Sequence, residues 1–309
     1  MGRVARLLFS FSREQRRYAR SLAAFPEGPV RQRAEEIGES FVEGYHAALE
    51  DSRPQALAAS LARLTPEQWG FAYEGVGLGL ALLDVLTPWR RDRLVTFLRG
   101  PGAAQIYMLH VGAGWALARL PVSVQRFQAR LDPLCRWMVL DGFGFHEAFY
   151  QWERTVERRE LPARVFGYAA RPFDFGVGRR LWFTPGDEVG HILGIVAAFP
   201  PSRQGDLWTG IGKACAFAGG RGEAAIQEIR RAAGPYAPQL AQGVTFAAKV
   251  RARGGNPAAH TELACRLLCG MSAEEAAALT DEALAGLPPD GELPAFEVWR
   301  RRIQDRLKT

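Results

Sequence analysis

Gly75-Val-Gly77, Gly112-Ala-Gly114, Gly142-Phe-Gly144, Gly176-Val-Gly178 and Gly210-Ile-Gly212 are five copies of one pattern, each set in an apolar, aromatic-rich segment. Single-glycine relatives flank them: Phe41-Val-Glu-Gly44-Tyr-His46 before, and Leu240-Ala-Gln-Gly243-Val-Thr245 after. The first glycines fall at 44, 75, 112, 142, 176, 210 and 243, in steps of 31, 37, 30, 34, 34 and 33 residues. A near-constant period of this size predicts an array of helical repeats. Glycine costs about 1 kcal/mol against alanine inside a helix, so its recurrence demands a reason. At about 100° per residue, positions i and i+2 face nearly opposite sides. A Gly-x-Gly helix can therefore be approached closely from two sides, by a hairpin partner and by the next repeat. A phosphate-binding turn is the competing explanation. It needs a preceding strand and a third small residue at fixed spacing. Gly112-Ala-Gly114-Trp-Ala-Leu117 lacks that residue.

Working outward, a basic amphipathic helix is expected over residues 3–23, then a break at Phe25-Pro26-Glu27-Gly28-Pro29. The first glycine helix spans 30–50, and a partner follows at 54–63. Thr65-Pro66 reads as an N-cap with proline at the first helical position. Further helices are expected at 88–99, 103–120, 122–137, 138–157, 187–199, 222–233 and 236–253, with another ending at Leu268. Ser272-Ala-Glu-Glu275 is a capping box, and a last charged helix covers 295–307. Strand signals are scarce. The expected fold is all-α: an α-solenoid of about seven helix-hairpin repeats, tetratricopeptide-like in spacing. It would form a single domain, with residues 1–29 a helix and linker, 30–270 the repeats, and 271–309 capping helices.

Forty-eight per cent hydrophobic residues support a packed core. The net charge is +6, but all except three of the 39 cations are arginine and they form no long basic block. A nucleic-acid partner is therefore not expected. Four cysteines, with no signal sequence recognised, read as free thiols. No run reaches 18 apolar residues, so no transmembrane segment and a cytoplasmic location are expected.

Chemistry-bearing residues gather at the glycine motifs. His46, His110 and His146 each lie two residues from a motif glycine, with Glu43, Glu74, Asp141, Glu147 and Asp174 beside them. A row of acids and histidines could be an acid/base pair, a metal site or a set of satisfied polar groups between helices. No cofactor is specified by any motif. Cys265 and Cys269 share a helix face but lack further zinc ligands at the right spacing. Small residues beside bulky aromatics can leave an apolar groove for a hydrophobic ligand.

The segments Phe41-Val-Glu-Gly-Tyr-His-Ala-Ala-Leu49, Gly70-Phe-Ala-Tyr-Glu-Gly-Val-Gly77, His110-Val-Gly-Ala-Gly-Trp-Ala116 and Leu140-Asp-Gly-Phe-Gly-Phe-His146 carry a resemblance. So do Asp206-Leu-Trp-Thr-Gly-Ile-Gly212, Asn256-Pro-Ala-Ala-His260 and Phe296-Glu-Val-Trp-Arg-Arg-Arg-Ile303. The chain resembles a bacterial family of unknown function encoded near polyketide gene clusters, notably those for enediynes. The resemblance implies a role in enediyne or polyene biosynthesis. The expected partner is a hydrophobic linear polyene, or else other biosynthetic proteins docked on a non-enzymatic scaffold. The candidate polar residues are Glu74, His110, Asp141 and His146. Candidate lining residues are Tyr73, Trp115, Phe145, Trp182 and Trp208.

Overall fold

The computed structural model describes residues 27–87, 89–184 and 189–308. The helix expected over residues 3–23 lies outside these. The described residues are helical throughout and hold no strand. In chain order the helices are α1 (Pro29–Glu50), α2 (Pro54–Leu61), α3 (Pro66–Leu86), α4 (Arg93–Leu98), α5 (Ile106–Arg119), α6 (Val124–Gln128), α7 (Met138–Tyr150) and α8 (Ala170–Trp182). There follow α9 (Val189–Ala198), α10 (Pro201–Ala218), α11 (Glu223–Ala233), α12 (Ala237–Gly254), α13 (Ala259–Cys269), α14 (Ala273–Glu282) and α15 (Ala295–Arg306).

Local chemistry sets many of the ends. Proline opens α1, α2, α3 and α10, where its missing N–H has no partner to lose. At α14 the Ser272 hydroxyl accepts from Glu275 N–H at 3.1 Å, and the Glu275 carboxylate accepts from Ser272 N–H at 2.7 Å. Three elements are shorter than the sequence predicts, and the first is the helix expected over 138–157, which ends at Tyr150 with a separate π-helical turn at Glu153–Glu157. The stretch 122–137 holds only the five residues of α6 and a 3₁₀ turn, because Asp132-Pro133 interrupts it. There Asp132 Oδ1 accepts from the N–H groups of Leu134 and Cys135 at 3.0 and 2.8 Å, fixing a turn. Likewise 88–99 contributes only α4. Its entry is pinned by Asp84, whose carboxylate accepts from the N–H of Arg93 and Leu94.

The glycine helices α1, α3, α5, α7, α8, α10 and α12 pack on one another in sequence order, and the short helices between them make far fewer of these contacts. Both close neighbours of a Gly-x-Gly helix are thus other glycine helices, and the hairpin partner is neither of them. A Cβ added at Gly112 would sit 1.8 Å from Glu74 O on α3, and one at Gly114 would sit 2.1 Å from Val139 O on α7. On α7, Gly142 faces Val111 O and Gly144 faces Phe173 O, at 1.8 and 1.9 Å by the same measure. In each pair the first glycine admits the preceding helix and the second admits the following one.

The row curls back on itself. Arg33 on α1 donates to Ala218 O at 2.7 Å, and Phe71 on α3 meets Phe217 on α10 edge-on at 5.1 Å. Gln105, just before α5, reaches Gly254 O on α12 at 3.4 Å. Helices more than a hundred residues apart in sequence therefore meet. α3 is long and apolar enough to cross a membrane by composition, but 78% of its apolar window is buried within this fold. Its apolar surface is spent on its neighbours.

α15 closes one end. Arg300 is fully buried, donates to Asp206 at 2.9 Å and to Glu297 at 2.8 Å, and lies 4.2 Å over the Phe175 ring. Arg171 also bonds Asp206, at 2.9 Å, and Tyr168 donates to Glu297 at 3.0 Å.

Three substitutions test this packing. Gly142→Ala should lower the unfolding free energy by about 3 kcal/mol or more, because backbone cannot yield as a side chain can. Gly194→Ala, in α9 with nothing within 4 Å of its added Cβ, should instead stabilise by up to about 1 kcal/mol. Arg300→Ala should cost about 3 kcal/mol, since it takes one buried partner from Asp206 and from Glu297, although Arg171 and Tyr168 remain. Urea denaturation of each variant measures all three.

Candidate functional site

The curl of glycine helices encloses a cavity, and all seven of them contribute to its lining. Its core volume is about 110 Å³, and the empty space including the open mouth is about 1250 Å³. The core alone has room for roughly seven to eleven waters at about 10–15 Å³ each. The wall is mainly apolar and aromatic: Phe41, Phe71, Met108, Trp115, Phe145 and Phe217 are among its residues.

Helix geometry explains which residues point inward. With the first glycine of a pair at 0°, the second lies at about 200°. The direction between the two neighbouring helices is then about −80°. Positions −4, −1, +3 and +7 from the first glycine fall within about 60° of it. Phe71 and Glu74 on α3, Met108, Val111 and Trp115 on α5, and Met138, Phe145 and Phe149 on α7 occupy such positions and line the cavity. So do Arg179 and Phe183 on and just after α8, and Lys213 and Phe217 on α10.

This face carries a buried charge network. Arg179 donates to Asp141 Oδ1 at 2.8 Å and to Glu74 Oε1 at 3.3 Å. Trp115 Nε1 donates to the same Glu74 oxygen at 3.0 Å, and Lys213 Nζ bonds Asp141 Oδ2. Two anions and two cations balance, as burial of charge requires. Burial alone would raise the Asp141 pKa, but Lys213 and Arg179 outweigh it and hold the carboxyl below its usual range. Burial pushes the Lys213 pKa down, with Asp141 opposing and Arg179 assisting. Arg179 also stacks over Phe145 at 4.8 Å, which keeps its guanidinium beside the cavity wall.

Of the residues singled out from sequence, Glu74, Trp115 and Phe145 line the cavity, and Asp141 lies directly behind Arg179 and Lys213. Tyr73, His110 and Trp208 are each at position −2, about 160° from the first glycine and away from the cavity. Tyr73 stacks on Phe97 at 6.0 Å, and Trp208 is in the core. His110 is fully buried, with Nδ1 2.7 Å from Ile106 O and no hydrogen-bond partner for Nε2 among the described residues. Burial lowers its pKa, so the ring is neutral near pH 7. His146 lies behind Trp115, edge-on at 5.5 Å, with Nδ1 3.2 Å from Glu147. Trp182 is buried and donates to Gly219 O at 2.7 Å.

Arg179 and Lys213 are the residues the sequence reading passed over. Each directly follows the second glycine of its motif, as do Trp115 and Phe145, and that register would have found them. Cys265 is in the core with its thiol pKa pushed up to about 12 by burial, and Cys269 Sγ lies 3.5 Å from Ala241 O. Among the described residues no three His, Cys, Asp or Glu side chains are grouped to hold a metal ion.

The family model described as "Protein of unknown function (DUF1702)" matches residues 1–307 of the chain. No curated protein and no solved structure matches it.

Asp141→Asn should destabilise the fold by about 3–5 kcal/mol by leaving Arg179 and Lys213 without their shared anion. The sign with pH follows from the lowered pKa. The Asp141 contribution is complete above the unfolded value of about 3.9 and is lost as pH falls through the folded value. Urea midpoints measured downward from pH 7 should therefore drop more steeply below about pH 4 in the wild type than in Asp141→Asn.

Proposed function

The chain belongs to the DUF1702 family, and on that footing we propose that its central cavity binds a linear, hydrophobic, conjugated ligand. The observation that carries this reading is the cavity itself, walled by aromatic rings from six of the seven glycine helices and from Phe183 just after α8, around a charge-neutral polar network. Flat rings match the faces of a conjugated chain, and ring stacking adds about 0.5–1.5 kcal/mol per pair beyond area burial. The balanced charges of Glu74, Asp141, Arg179 and Lys213 favour a ligand without net charge. The enclosed volume of about 110 Å³ is below the range of about 300–1,000 Å³ common to small-molecule sites, so a ligand would extend through the open mouth.

In its fuller form the proposal is that the ligand is a polyene made by an iterative polyketide synthase. The protein would hold it and assist its maturation toward an enediyne core. The resemblance noted in the sequence supports this. The long, wrapped row of helices also suits a repeat architecture whose inner face is the binding face.

The experiment is titration with diphenylhexatriene, an uncharged polyene whose fluorescence rises in an apolar site. Saturable one-to-one binding is expected, weakened at least several-fold in Val250→Trp, which adds bulk at a partly exposed lining position. Phe145→Ala should weaken it as well, by the loss of one ring face, worth about 0.5–1.5 kcal/mol. Absence of binding would remove this reading, and so would binding indifferent to both substitutions.

A further inference from the structure

We propose that Lys213 captures a carbonyl group of the cavity's ligand as an imine. This rests on the ligand-binding reading above and narrows the ligand to an apolar aldehyde or ketone.

Three observations lead here. The first is the choice of cation. Only three of the chain's 39 lysines and arginines are lysine, and Lys213 is the one whose partner, Asp141, is fully buried. Lys308 pairs with an exposed aspartate near the chain's last residues, and Lys249 pairs with the half-exposed Asp281. Charge alone would be served by arginine, which binds a carboxylate in a fork and already does so nearby at Arg179. Arginine cannot lose its proton or attack a carbon, whereas a buried lysine amine can do both. The second is position. Lys213 follows the second glycine of its motif, so its stem runs along the cavity wall beside Phe217 and its amine ends at the charge network. The third is the network's composition. Asp141 bonds Lys213 on one oxygen and Arg179 on the other, so its charge stays in place whatever happens at the amine.

The chemistry closes without another reagent. The ammonium passes a proton to a neighbouring base or water, and the amine nitrogen adds to the carbonyl carbon while the oxygen takes up a proton. Loss of water then breaks the C–O bond and forms the C=N bond. Overall, one ammonium and one carbonyl give one protonated imine and one water. Net charge at the site is unchanged, so Asp141 serves the iminium as it served the ammonium. Burial also lowers the Lys213 pKa, which raises the fraction of free amine.

The test incubates the full chain with all-trans-retinal, an apolar conjugated aldehyde, and sodium cyanoborohydride. Intact mass and peptide mapping then locate the adduct. One reduced adduct per chain on Lys213 is expected, preceded by a red-shifted absorbance band from the protonated imine. Both should be lost in Lys213→Arg, which keeps the ion pair. Diphenylhexatriene binding, measured alongside, separates the two readings. Binding without a Lys213 adduct, or with adducts only at Lys249, Lys308 or the amino terminus, overturns the imine proposal and leaves the cavity reading standing. Failure of both overturns both. The wild-type map decides the matter even if the variant does not fold.

Discussion

Backbone against backbone is the contact on which this structure depends. Most helix pairs are held apart by side chains, at interaxial distances of about 8–10 Å. Here the glycine pairs remove the side chain on two sides of each helix, and carbonyl oxygens of the neighbours fill the space. Even one methyl group is too much, since an added Cβ at Gly44, Gly75 or Gly243 would lie 1.9 to 2.0 Å from an oxygen. The contact also fixes rotation. A one-residue slip would turn a helix by about 100° and drive a side chain into its neighbour. The inward residues are therefore set by the glycines, and Trp115, Phe145, Arg179 and Lys213 are held at one register on four successive helices of the row.

The buried charges work within that frame. Removing a carboxylate or ammonium from water costs several kcal/mol even after relaxation, and pairing does little more than offset it. The network at Asp141 and the one at Arg300 are thus weak sources of net stability. Both join helices that do not touch through glycine. Asp141 on α7 is tied to α10 through Lys213, and Asp206 on α10 is tied to α15 through Arg300. The aromatic face of Phe175 under Arg300 replaces part of the lost hydration. Such pairs specify which distant elements meet, a matter on which apolar surfaces are indifferent.

Much of this was legible in the residues. The glycine helices announce themselves because glycine is costly in a helix and appears there only for a reason. The limits of several match the expectation within a residue or two, as at Pro29–Glu50 and Ala237–Gly254, whereas the helix expected over 138–157 ends at Tyr150. The intervening stretches were harder. Asp84 and Asp132 bond backbone N–H groups that a helix would have used, and a periodic pattern does not report that competition. At the site, nearness to a glycine motif picked out Glu74, Trp115 and Phe145, which line the cavity. The same criterion picked out Tyr73, His110 and Trp208, which point away, because nearness along the chain says nothing of angle. Arg179 and Lys213 match no motif in the sequence. Only the partners Glu74 and Asp141, brought from helices tens of residues away, reveal them as interior.

The latch at α15 has a consequence for how the molecule comes into being. Chains are made from the amino end, and early segments begin to fold while later ones are still being added. Trp299 contributes to the cavity wall, and Arg300 neutralises Asp206 on α10, some ninety residues upstream. Until those two residues emerge from the ribosome, the nascent protein carries a gap in its cavity wall and a carboxylate short of one partner. The cavity wall is therefore completed only once residues 299 and 300 have been added.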